Sequence, residues 1–216
     1  METKKIEIKT LLISLATVIF VELVARAAVS GGKLHAMIGL GAARLVEATL
    51  IMLIVSVWGG GTSSVGLARS TILHGIRKGV LWSAVFGVAT AFVFIALFLL
   101  DIDPLRFIYT PLPEKPGDIL LFFAVGGLVS PVAEELFFRG ILYGFFRRWG
   151  VFAAVLLSTL IFVLVHPVAS GIPLPQIVGG ILFALAYEVE KSLTTPIAIH
   201  ILGNMAIFSL SGCLGG

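Results

Sequence analysis

SPVAEELFFRG, residues 130–140, decides how this chain is read. It sets two adjacent carboxylates, Glu134 and Glu135, and one guanidinium, Arg139, between apolar runs: ILLFFAVGGLV at 119–129 and VFAAVLLSTLIFVLV at 151–165. Ionisable groups inside a membrane span are costly, so each one calls for a partner or a task.

Composition supports a membrane setting. Of 216 residues, 58% are hydrophobic and 12% charged, against about 25% charged in an ordinary soluble domain. A soluble fold of this size could not cover so much apolar surface. The single cysteine, Cys213, excludes an internal disulfide framework and a Cys-based zinc site. The net charge of +3 gives no reason to expect a nucleic-acid partner; the expected surroundings are a lipid bilayer.

Apolar runs near spanning length fall at 10–29, 37–57, 79–100, 118–139, 151–166, 175–189 and 195–212. Runs this long without strict alternation are helical, because a helix satisfies its own backbone in lipid. The expectation is an all-α polytopic membrane protein of about seven transmembrane helices, forming one membrane domain over 1–216. The opening METKKIEIKT precedes an apolar run longer than a signal-peptide core and interrupted by Glu22 and Arg26; it reads as a retained first span.

With the N-terminus in the cytoplasm, the inner side receives Lys4, Lys5, Lys9, Arg69, Arg77, Lys78, Arg147, Arg148 and Lys191, and the outer side Lys33, Arg106 and Lys115. That asymmetry follows the positive-inside rule and puts the C-terminus outside. The segment DIDPLRFIYTPLPEKPG (101–117) reads as an ordered outer loop. GGGTSS (59–64) reads as a turn into a basic segment that either lies on the inner surface or is a solvated loop.

Two polar sets remain inside the spans. Glu22 and Arg26 on span one are spaced i,i+4, and Arg44 and Glu47 on span two i,i+3, which suits an ion-pair network tying the two helices together. The second set is Glu134, Glu135, Arg139, His166, His200 and Asn204. Arg139 can hold Glu135, while Glu134, rotated by about 100°, faces elsewhere. Measured from the turn at Trp149–Gly150, Glu134 and His166 come to nearly the same level on antiparallel helices. His200 and Asn204 share a face. Taken singly, each has a bland structural reading; together at one level they suggest a polar site.

EELFFRG, FVLVH and HILGN resemble the three motifs (EExxxR, FxxxH, HxxxN) of the CAAX-protease and bacteriocin-processing family, also called CPBP or Abi. These are intramembrane proteases related to the Ras-converting CAAX endopeptidase. The resemblance spans about 117–212, the catalytic core of that family; residues 1–116 hold no signature of it. Between the motifs, Tyr187, Glu188, Ser192, Leu193, Pro196 and Ile197 agree with the family pattern, whereas Glu190 and Thr194 replace a frequent threonine and tryptophan.

The resemblance implies an intramembrane endopeptidase of CAAX type acting on a membrane-anchored or lipidated protein or peptide. Glu134, His166, His200 and Asn204 would be catalytic, and Glu135, Arg139 and Phe162 supporting. Glu134 would act as general base on a water that His166 orients, and His200 and Asn204 would donate to the oxyanion. The resemblance favours a glutamate mechanism with no cofactor. The alternative is one zinc ion on Glu134, His166 and His200. A multi-pass protein of a prokaryotic inner membrane is expected. A non-catalytic immunity or scaffold protein, and a transporter, are the rival readings.

Overall fold

Helices close most of their backbone hydrogen bonds within their own segment, and the described residues of the chain use nothing else as regular structure. The computed structural model describes residues 6–166 and 172–214. Its long helices are α1 (Ile8–Ser30), α2 (Ala36–Trp58), α3 (Ile72–Leu99), α4 (Pro116–Trp149), α5 (Val151–Val165), α6 (Leu174–Glu190) and α7 (Thr194–Leu214). The basic segment after GGGTSS is neither a surface helix nor a free loop throughout. Short 3₁₀ turns at Thr62–Val65 and Arg69–Thr71 lead directly into α3, which starts seven residues before the apolar run.

The all-helical membrane class expected from the sequence is what the fold shows, and each of the seven expected runs forms a helix, though of unequal length. Five helices (α1, α2, α3, α4 and α7) are long and apolar enough to cross a membrane. Helix α5, with 15 residues, rises only about 22 Å, short of a hydrocarbon core of about 30 Å. Helix α6, with 17 residues, ends in the charged Glu188–Val189–Glu190.

Hydrogen bonds show which ends of the helices meet. Arg147 grips Glu188 through Nη2 at 2.9 Å and Nε at 3.0 Å, so the end of α6 lies against the end of α4, where α5 begins. Arg148 Nη2 donates to the Ile6 carbonyl at 2.6 Å, and Leu193 N–H to the Gly66 carbonyl at 3.1 Å. Lys9 stands over the Trp58 ring at 5.4 Å. One end of the bundle therefore gathers the start of α1, the end of α2, the α4–α5 turn and the α6–α7 turn, with Lys9, Arg147, Arg148 and Lys191. Lys4 and Lys5, assigned to the same side, lie outside the described residues. At the other end Thr110 N–H donates to Ser211 Oγ at 3.0 Å, and His35 lies 3.6 Å from Asp118.

Because α5 starts and α6 finishes at the basic end, the pair forms a hairpin. A hairpin returns the chain to the end it left, so the start of α1 and the end of α7 lie at opposite ends. Helix α1 packs along α2, α2 along the middle of α4, and α3 on the outer side of α7. The core is formed where α4 meets α5 and α6: Phe138, Ile141, Tyr143, Ala154, Phe162, Ala184 and Tyr187 are all buried there.

Candidate active site

The middle of α4 is not a regular α-helix. An α-helical turn, Ser130–Glu135, stands between two π-helical stretches, Phe123–Val129 and Leu136–Tyr143. In the first stretch the Ser130 N–H reaches back five residues to the Val125 carbonyl. The next bond in that series would come from residue 131, but Pro131 has no N–H. The Gly126 carbonyl therefore needs another donor, and Asn204 of α7 supplies it through Nδ2 at 2.9 Å. Local π-helical turns widen a helix and re-aim its side chains, which is why they concentrate at functional sites.

Glu134 and Glu135 leave this turn in different directions. Glu135 is fully buried beside the equally buried Arg139, whose Nη1 donates to Glu135 Oε1 at 3.0 Å. Arg139 Nη2 donates to the Gly180 carbonyl of α6 at 3.2 Å. Its guanidinium also faces the rings of Phe162 at 4.8 Å and Phe183 at 5.2 Å. A delocalised cation suits such aromatic walls better than an ammonium would.

Glu134 points to two imidazoles. Its Oε2 lies 3.6 Å from His166 Nε2 and 3.7 Å from His200 Nε2. These separations exceed direct hydrogen bonds, leaving the oxygen free to accept from a water placed between the groups. Each imidazole is fixed by its other nitrogen. His166 Nδ1 is 2.6 Å from the Phe162 carbonyl, and His200 Nδ1 is 2.8 Å from Glu135 Oε1. A carbonyl or a carboxylate can only accept, so Nδ1 carries the hydrogen in both rings. In a neutral ring Nε2 then presents a lone pair to the side of Glu134. His200 is held further by stacking on Phe183, with centroids 4.6 Å apart at 23°. The side chains of Glu134 and His166 keep 14% and 26% exposure, against 6% for His200, so access is from the His166 side.

The structure thus brings Glu134, His166 and His200 together across α4, the end of α5 and α7. Asn204, one turn beyond His200, is anchored to Gly126. Phe162 supports the group through its carbonyl to His166, its ring beside His166 at 4.3 Å, and its face to Arg139. Among the described residues, no group of three or more His, Cys, Asp or Glu is arranged to hold a metal ion. Three participants escape a reading of the motifs: Gly126, Gly180 and Phe183. The paired glycines at 126–127 and 179–180 are the signal that points to the first two. A side chain at Gly180 would press on Thr159, and one at Gly127 on Met205.

The N-terminal helices bring a second polar group. Arg44 of α2 bridges Glu22 of α1, at 2.7 Å, and Glu47 of its own helix, while Arg26 stands 3.8 Å from Glu22. The expected tie between α1 and α2 is therefore centred on Arg44, with Arg26 at its exposed edge.

Residues 116–206 match the family model described as type II CAAX prenyl endopeptidase Rce1-like, which agrees with the resemblance of the three motifs. The chain is similar to the membrane-embedded CAAX protease MroQ of Staphylococcus aureus (strain USA300). The two are 35% identical over 101 residues, 43% of this chain and 40% of the relative. It is also similar to YdiL of Bacillus subtilis (strain 168), a membrane peptidase by name. That identity is 33% over 85 residues, 39% of this chain and 34% of the relative. The chain spans less than half the length of either relative. No solved structure matches it.

Proposed function

We propose, from the CAAX-endopeptidase likeness of residues 116–206, that this chain is an intramembrane endopeptidase with Glu134 as its catalytic base. The observation that supports it best is the placing of one Glu134 oxygen 3.6–3.7 Å from two imidazoles, each fixed through Nδ1, inside an apolar helix bundle.

In this reading a water binds between Glu134 and His166. Glu134 takes one of its protons as the water oxygen bonds to the peptide carbonyl carbon, and the carbonyl electron pair moves onto oxygen. His166 Nε2 accepts a hydrogen bond from the remaining O–H and so orients the attack. His200 stabilises the oxyanion from Nε2, which requires the ring to hold both protons. Collapse of the intermediate breaks the C–N bond, and the leaving amine receives the proton held by Glu134. The products are a carboxylic acid and an amine, between which or to water the acid's proton then passes, and the glutamate is regenerated. No step requires a resident metal.

The substrate class in this proposal is a membrane-anchored or lipidated protein or peptide, since the site opens within the bundle. The basic end carrying Lys9, Arg147, Arg148 and Lys191 faces the cytoplasm of a prokaryotic inner membrane. The test compares protein termini by mass spectrometry in cells making wild type or Glu134→Gln at equal levels. New termini should arise only with wild type. Identical termini sets would reject the endopeptidase reading in favour of a scaffold or immunity role.

A further inference from the structure

Three side chains of α3 turn to one carboxylate at the end of α6. Trp82 Nε1 donates to Glu190 Oε1 at 3.0 Å, while Lys78 Nζ and His74 Nε2 stand 3.6 and 3.9 Å from Glu190 Oε2. His74, Lys78 and Trp82 follow one another at intervals of four, so a single face of α3 makes all three approaches. His74 and Lys78 are much more exposed than Glu190, so water screens their pull. The indole bond is the one that fixes the geometry, since a partly buried indole N–H needs an acceptor.

The Trp82 ring, so held, packs on the buried cluster of Phe183, Ala186 and Ile199. Phe183, Ala186 and Glu190 are spaced by three and four residues along one face of α6. The ring that donates to Glu190 therefore also covers the apolar part of that face. Ile199, on α7, immediately precedes His200. Phe183 stacks on the His200 imidazole with centroids 4.6 Å apart, and it faces the Arg139 guanidinium at 5.2 Å. Trp82 thus closes the seam between α6 and α7 beside the imidazole.

His200 depends on its orientation. Its Nδ1 is 2.8 Å from Glu135 Oε1, and its Nε2 faces Glu134 Oε2 at 3.7 Å. The bond to Glu135 fixes one edge of the ring, and the stack on Phe183 fixes its plane. We infer that Trp82 is a positioning residue of the site: held by Glu190, it keeps Phe183 stacked on His200. Helix α3 precedes the matched residues 116–206, and Glu190 replaces a threonine frequent in the family pattern. The support therefore comes from outside the three motifs. Small misplacements of a positioned group lower the rate steeply.

This inference rests on the endopeptidase reading, and the test separates the two. The peptide spanning the cut found by the termini comparison is turned over in proteoliposomes, with rates counted per folded enzyme. Trp82→Ala should lower kcat by about 10-fold while KM stays within about twofold. Trp82→Phe, which returns a ring to the cluster, should recover most of the rate. Glu190→Leu, which frees the indole without removing it, should give a smaller loss. The imidazole is read directly in protein labelled at histidine Cε1, where four histidines need assignment. Loss of the stack removes the shielding by the Phe183 ring, so the His200 Hε1 signal should move downfield in Trp82→Ala and less so in Glu190→Leu. An unmoved His200 signal in both variants overturns the inference, whatever the thermal midpoint does, and assigns Trp82 to packing of α3. A kcat within twofold of wild type in Trp82→Ala also overturns it. Neither result touches Glu134, and termini sets unaffected by Glu134→Gln overturn the endopeptidase reading. The His200 signal needs no substrate, so it decides even then whether Trp82 holds the ring.

Discussion

Glu135 Oε1 accepts from Arg139 at 3.0 Å and lies 2.8 Å from His200 Nδ1, so one carboxylate oxygen joins α4 to α7 while its neighbour Glu134 is left to the site. The adjacent glutamates are therefore expected to respond differently to the same change. Glu135→Gln leaves the buried Arg139 charge without its counter-ion, which should cost about 3–5 kcal/mol. It should appear as a lower thermal midpoint in detergent and a poor yield of folded protein. Glu134→Gln should leave the midpoint near wild type and reduce turnover by about 10²–10⁴-fold, the usual contribution of a general base. Equal losses of stability in the two variants would contradict this division.

The Arg44 clasp allows a second separation, between its buried and exposed arms. Glu47 is 3% exposed and Glu22 26%. Arg44→Met strands the Glu47 carboxylate inside the bundle and should cost about 3–5 kcal/mol. The double variant Arg44→Met/Glu47→Leu should recover most of that loss. Glu22→Gln, at the more exposed arm, should cost about 1 kcal/mol or less. Thermal midpoints of the three variants check the order.

Much of this was legible from spacing. The turn at Trp149–Gly150 places Glu134 level with His166, and the i,i+4 interval from Glu135 to Arg139 describes a pair that forms within one helix. Geometry between helices was not legible. Nothing in HILGN says that His200 gives its Nδ1 hydrogen to Glu135, because that depends on how α7 is rotated against α4. Nor does the motif announce that one amide hydrogen of Asn204 holds the Gly126 carbonyl, a task created by a π stretch and by Pro131. Hydropathy, too, does not distinguish a short crossing from a hairpin packed inside a bundle: apolar runs of 15–16 residues suit both.

Helix α3 is exposed along most of its length and meets α7 through its glycines. A Cβ at Gly79 would stand 2.5 Å from Ala198 Cβ and 2.9 Å from the Thr195 carbonyl, whereas one at Gly87 would meet nothing within 4 Å. Gly79→Leu should force the helices apart, weakening the Thr195 Oγ1 hydrogen bond to the Gly75 carbonyl at 3.2 Å. The expected cost is about 1–3 kcal/mol, typical of overpacking. Gly87→Leu should be neutral or slightly stabilising, since leucine is the better helix former. Limited proteolysis at the 59–71 connection should rise with the first variant and not with the second.

Metal dependence can be decided on the same three side chains. With Nδ1 protonated on both rings, His166 and His200 turn the nitrogens that bind metals towards Glu134, as a His2Glu zinc site requires. Tetrahedral zinc with bonds of about 2.0–2.1 Å would hold its ligand atoms about 3.3 Å apart, somewhat closer than the 3.6 and 3.7 Å found here. As they stand the three groups are therefore not set to hold zinc; binding would need an inward movement, and the proposed glutamate mechanism makes no use of it. Cleavage should survive 1,10-phenanthroline and EDTA within twofold, and purified protein should hold far less than one zinc per chain. Added zinc should inhibit, because it would bind the carboxylate that takes the proton from water, and His166→Ala should blunt that inhibition. Loss of cleavage on chelation with recovery at stoichiometric zinc would reverse the assignment, making Glu134 a ligand instead of the base.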